Sequence, residues 1–110
     1  MTAPTITRAG YFMPEEPSWC VGCRIPDPGV VDHYSRVWEG TDWHDNTKWR
    51  IQVTQRVEIA PDGTITEGLA VCDINRAEGT YGSMAEFARA ALLAEALKDS
   101  INAGRRRVQR

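Results

Sequence analysis

From Trp49 to Ile59, apolar residues at one parity (Trp49, Ile51, Val53, Val57, Ile59) alternate with polar ones at the other (Arg50, Gln52, Thr54, Arg56, Glu58). A period of two sends the two sets to opposite faces of a pleated strand, so the segment predicts a half-buried β-strand. Gln55 is the one polar residue on its apolar face, a residue suited to a rim or a twist. Ala60-Pro61-Asp62-Gly63 follows, with proline preset for the first central turn position and glycine free to take positive φ. A tight hairpin is expected. Its return strand spans 64–72, with Ile65, Leu69 and Val71 on one face and Thr66, Ala70 and Cys72 on the other. Both faces are fairly apolar, which predicts a central strand. A shorter alternation over 34–39, closed by Gly40, predicts the strand before it.

The period then changes. Ser83 stands three residues before Glu86, a capping-box spacing that opens a helix over 84–101. Met84, Phe87, Ala91, Leu92 and Leu97 form a broad apolar stripe, and Gly104 is a natural terminator. At 1.5 Å per residue such a helix is about 30 Å long, enough to cross a three-stranded sheet and extend past it. Its surplus apolar surface points to a homodimer or another protein partner. The predicted architecture is α+β: a three-stranded antiparallel sheet in the order β-β-β-α, packed by one long C-terminal helix. Such a sheet has a second face to cover, for which Trp38, Trp43 and Trp49 are available together with the N-terminal arm, or else a partner chain.

At 110 residues the chain is expected to form one domain. Hydrophobic residues at 42% and charged residues at 25% match an ordinary folded protein. Residues 1–18 hold Pro4, Pro14 and Pro17 and no period, so they read as an extended or disordered arm. Residues 19–104 form the domain and 105–110 a basic tail. Within the domain, Pro26-Asp27-Pro28-Gly29 predicts that 20–32 is a loop. The longest strictly apolar run, 90–94, falls far short of the roughly 18 residues a spanning helix needs, and the first residues lack the apolar block of a secretory signal. A cytoplasmic protein is expected.

Charge is unevenly placed. Thirteen basic and fifteen acidic residues leave a net charge of −2, but Arg105, Arg106, Arg107 and Arg110 all lie in the tail. The body is therefore acidic and disfavours nucleic acid as a partner. Only those four arginines form a candidate nucleic-acid contact, and they also complement the negative end of the helix.

The chemistry-bearing constellation is Cys20-Val21-Gly22-Cys23, followed by His33, His44 and the third cysteine, Cys72. Two thiolates two residues apart can grip one ion, and zinc takes thiolate and imidazole ligands tetrahedrally. The predicted structural zinc site is Cys20, Cys23, His33 and His44, with Cys72 as a substitute for one histidine. Ion binding would order a proline-rich segment that has little core of its own. The competing readings are free thiols, solvated histidines and a core Cys72. Asp27, Asp32, Glu39, Asp42 and Asp45 flank the histidines and are candidates to orient the imidazoles.

Trp19-Cys20-Val21-Gly22-Cys23-Arg24 resembles the active-site hexapeptide of thioredoxin-like oxidoreductases. That resemblance implies nucleophilic and resolving roles for Cys20 and Cys23 in thiol/disulfide exchange. Pro26, Pro28 and Gly29, however, forbid the helix that follows the motif in that family. Three strands and a helix opened by Gly79-Thr80-Tyr81-Gly82-Ser83 are similar to the second half of a double-stranded-RNA-binding domain. Met84, Ala85 and Glu86 stand where that family places phosphate-binding lysines. The Pro17-Ser18-Trp19-Cys20 head, the Asp-Pro-Gly loop leading to His33, the hairpin and the Ala/Leu-rich helix resemble small uncharacterised proteins of actinobacteria and their phages. That resemblance implies a Cys/His site and no particular substrate. No phosphate loop, dinucleotide fingerprint or nucleophile elbow occurs. The sequence reading is a small non-enzymatic protein-interaction module with a structural zinc site, its alternatives a thiol redox protein and a nucleic-acid accessory protein.

Overall fold

A computed structural model of the chain describes residues 17–41, 47–76 and 82–105, together with two short strands, Thr5–Ile6 (β1) and Phe12–Met13 (β2), that pair antiparallel. The fold is α+β. An antiparallel sheet is built from β3 (Gly22–Asp27), β4 (Val30–Thr41), β5 (Thr47–Ile59), β6 (Ile65–Glu67) and β7 (Val71–Arg76), followed by the helix α1 (Met84–Ala103). The sheet order is β3-β4-β5-β6, with β7 also paired to β5. It thus has five strands, two more than the sequence predicts.

The first extra strand comes from the segment expected to be a loop. Pro26 lies in β3, at the edge of the sheet, where a strand can lack an N–H on its outer side. Pro28 and Gly29 then make the turn into β4. Gly29 has φ +79°, and a Cβ there would stand 2.7 Å from the Ile59 carbonyl oxygen. Glycine is required on both counts.

The second extra strand arises because the return strand is interrupted and resumes. After β6 the Gly68 N–H donates to the Arg56 carbonyl at 2.8 Å, Ala70 leaves the ladder, and β7 re-engages β5 from Val71 opposite Thr54 to Arg76 opposite Trp49. At the break, the Asn102 side chain of α1 accepts from the Ala70 N–H at 2.7 Å and donates to the Ala70 carbonyl at 3.1 Å. One amide replaces the missing neighbour strand for a residue only 2% exposed.

A register shift between Tyr34 and Val37 conceals the length of β4. Ser35 sits in this bulge, its Oγ accepting from the Val53 N–H at 2.9 Å and donating to the Arg36 carbonyl at 2.8 Å. The extra residue flips parity. Val31, His33 and Ser35 before the shift, and Trp38 and Gly40 after it, share the face of Val53, Ile51 and Trp49.

The helix lies on that face. Trp49, Ile51, Val53, Ala70, Ala90 and Ala94 form the core, with Trp38, Cys72, Phe87, Leu97 and Ile101 packed against it. Alanines at 90 and 94 let the helix backbone approach the sheet closely, and Phe87 meets Trp49 edge to face at 5.2 Å between ring centres. Ser83 caps the helix by accepting from the Glu86 N–H at 3.1 Å. Trp38 and Trp49 therefore lie under the helix and not on the opposite face, as the sequence suggests; Trp43 lies outside the described residues. The opposite face carries charged cross-strand pairs: Arg56 forks onto Asp32 at 2.7 and 2.9 Å, and Arg50 reaches Glu39 at 3.4 Å. Among the described residues no helix is long and apolar enough to cross a membrane.

Candidate functional site

The β3–β4 hairpin places Cys23 directly opposite His33, so both side chains leave the same face. Just ahead of β3 the chain turns: the Cys20 N–H donates to the Pro17 carbonyl at 3.0 Å and the Val21 N–H to the Tyr34 carbonyl at 2.8 Å. This turn lays Cys20 over the hairpin. Its Sγ stands 3.3 Å from His33 Nδ1 and donates to the Gly22 carbonyl at 3.0 Å. Trp19 meets the His33 ring edge-on, with centres 6.1 Å apart. His33 is buried, Cys20 and Cys23 are half-buried, and no disulfide joins the cysteines.

On its other side His33 faces Gln55 of β5. Gln55 is buried and not at a rim; its side-chain amide donates to the Gly68 carbonyl at 3.0 Å. His33, Ser35 and Gln55 are the polar residues among the buried ones, and they lie together where the helix-side core gives way to the Cys20 turn.

Of the predicted ligands, the structure brings Cys20 and His33 together and sets Cys23 across from His33. His44 lies outside the described residues. Cys72 is not joined to them. It pairs with Val53 on the far side of β5 from β4, so two strand spacings, about 10 Å, intervene. Burial beside the helix pushes its thiol pKa up, and Glu95 adds to the effect. Among the described residues no three His, Cys, Asp or Glu side chains are grouped to hold an ion. Two ligands held at zinc bond lengths and a tetrahedral angle are about 3.5 Å apart, close to the Cys20–His33 separation.

Among the described residues, the flanking carboxylates Asp32 and Glu39 are turned to arginine partners. Asp32 precedes His33 in the strand and points to the opposite face, where the Arg56 hydrogen bond holds its carboxyl below the usual value. Glu39 is engaged by Arg50. Asp27 is exposed in β3, and Asp42 and Asp45 lie outside the described residues. Of the four tail arginines only Arg105 is described, half-buried just beyond the helix. On the polar face an open depression of about 290 Å³ is lined by Tyr34, Leu69 and Val71, with Asp32, Arg56 and Asp73 around them. Its charges are already engaged, Asp32 by Arg56 and Asp73 by the Thr54 hydroxyl at 3.3 Å.

Two residues at the Cys20–His33 corner were not singled out by sequence reasoning, Ser35 and Trp19 as a neighbour of His33, and neither was Asn102 at the Ala70 break. A signal existed for one contact. Two polar interruptions, His33 and Gln55, fall in the buried rows of neighbouring strands and prove to be cross-strand partners. Comparison with known proteins finds no matching family model, no matching curated protein and no matching solved structure.

Proposed function

We propose that this chain is a small non-catalytic protein-interaction module whose Cys/His corner binds zinc through Cys20, Cys23 and His33, with His44 as the fourth ligand. The 3.3 Å approach of Cys20 Sγ to His33 Nδ1 carries this reading. A thiolate and an imidazole at that separation are the donor pair that suits zinc. An ion there fastens the Cys20 turn to the hairpin at a corner rich in buried polar groups, so its binding free energy adds to folding. The test is elemental analysis of the purified protein together with thermal unfolding in chelator and in added zinc. About one zinc per chain, a melting temperature lowered by chelator, and loss of both in Cys20→Ser are the expected results. Metal-free protein whose melting ignores zinc overturns the reading.

The same contact favours thiol chemistry as a second reading, because a thiol within hydrogen-bond reach of an imidazole is a nucleophile–base pair. Zinc-free protein in which Cys20 reacts with iodoacetamide far faster than in a His33→Asn variant would support it.

A further inference from the structure

The sheet has two unlike edges. At one, β3 carries Pro26, a register irregularity between Arg24 and Asp27, and exposed charges at both of those positions. These are the devices that discourage another strand from adding. At the other edge, β7 also carries exposed charges, Asp73 and Arg76, but it has no proline and keeps one regular register with β5 over six residue pairs. Among the described residues its one strand partner is β5 and no other backbone bonds to its outer side. Every second residue of such a strand directs its N–H and C=O away from the sheet. Ile74 adds an apolar signal. Its cross-strand partner Ile51 is 1% exposed beneath the helix, whereas Ile74, on the same face, is 55% exposed.

We infer that β7 is a self-association edge: two copies of this chain join through antiparallel β7 strands, about a two-fold axis at Ile74, into one continuous sheet with both helices on the same side. The occupant follows from self-complementarity. A two-fold axis normal to the sheet keeps the helix side of both copies together, so only residues of the same face can stand opposite one another. With the axis at Ile74, Ile74 meets Ile74, Asp73 meets Asn75, and Cys72 meets Arg76. Moving the axis to Asp73 opposes two aspartates, and moving it to Asn75 sets Ile74 against Arg76. Like charges directly opposite one another are unfavourable, and of these three registers only the one at Ile74 sets two aliphatic side chains together while opposing no like charges. The inference rests on the reading of the chain as an interaction module but needs no zinc.

Sedimentation velocity of the full chain over a range of concentrations, in zinc and in chelator, tests it. A concentration-dependent dimer is expected in both. Because position 74 meets itself, Ile74→Lys places two ammonium groups together and raises the dissociation constant by about tenfold or more. Leu92→Lys, at a 72% exposed site on the helix, leaves it unchanged. Mild oxidation of Ile74→Cys yields a covalent dimer, whereas Val71→Cys does not, which decides the matter even if the lysine variant misfolds. A chain that stays monomeric, or that is dissociated by Leu92→Lys and not by Ile74→Lys, overturns the inference. A monomer holding one zinc overturns this inference alone, and a metal-free dimer overturns the zinc reading alone.

Discussion

One face of the β4–β5 ladder is filled in two ways. Beneath the helix its buried side chains are Trp49, Ile51 and Val53, met by Ala90 and Ala94; nearer the Gly29 turn they are Val31, His33, Ser35, Gln55 and Val57. The strands and the face are shared, so backbone geometry does not explain the difference. The helix end is stabilised by removing apolar area from water, at roughly 25 cal/mol per Å². The turn end buries polar groups, each of which needs a hydrogen-bond partner to break even. Ile51 and His33 are each 1% exposed, yet equal burial does not mean equal contribution to stability. Within the polar row, Ser35 and Gln55 spend their side chains on backbone groups of neighbouring segments, whereas His33 meets Cys20, the contact on which the zinc proposal rests.

The sharpest way to test this contrast is Ile51→Ala, which opens a cavity beneath the helix and should lower stability by about 2–5 kcal/mol in denaturant unfolding, with the m-value unchanged. Asn102→Ala comes next. It strands the N–H and C=O of buried Ala70 and should cost about 1–3 kcal/mol by the same measurement; Asn102→Asp does not restore the loss, because it cannot donate to the Ala70 carbonyl. His33→Leu, measured in chelator, should change stability by no more than about 1.5 kcal/mol despite burial equal to that of Ile51, and should abolish any zinc-dependent rise in melting temperature. A loss as large as that of Ile51→Ala would make the polar row structural and end the contrast.

Smaller effects are expected from the titrating groups. With its pKa raised by burial, Cys72 favours the neutral thiol in the fold. The stability this brings is present below the unfolded thiol's value and lost as pH rises through the raised one. Alkylation in chelator, mapped by mass spectrometry, should therefore modify Cys72 more slowly than the same cysteine in the unfolded chain. The smallest change is expected from Asp32→Asn. Asp32 is depressed by Arg56, so the stability of that pair is present above the ordinary carboxylate value and lost as pH falls through the lowered one. The variant's acid unfolding limb should be flatter, but only slightly, since the Arg56 side chain is 58% exposed and its charge is screened.

Some of this molecule is plain in its residues. The alternation of 49–59 and the Ser83–Glu86 spacing each have one physical reading, and β5 and α1 follow it. The edge strand β3 is hidden because proline signals a break unless the missing N–H faces outward, which depends on sheet position. The bulge at Ser35 obscures β4, since an extra residue turns one alternation into two shorter ones of opposite phase. The interruption after β6 is invisible because its remedy, Asn102, lies thirty-two residues downstream. For the site, residue types suggested Cys20, Cys23 and His33 as companions, and the hairpin register supplies the reason they adjoin. The same register argument separates Cys72 from them, and spacing along a chain carries no information about which side of a strand a thiol will occupy.

The clasp between Asn102 and Ala70 gives the fold a built-in reporter. The Ala70 amide proton is shielded by a side chain of the helix and not by a neighbouring strand, so any excursion that lifts the last turn of the helix releases that proton to solvent while the amides of β5 stay locked. Its exchange rate, set against theirs, reads out how often the helix peels from the sheet without the sheet coming apart.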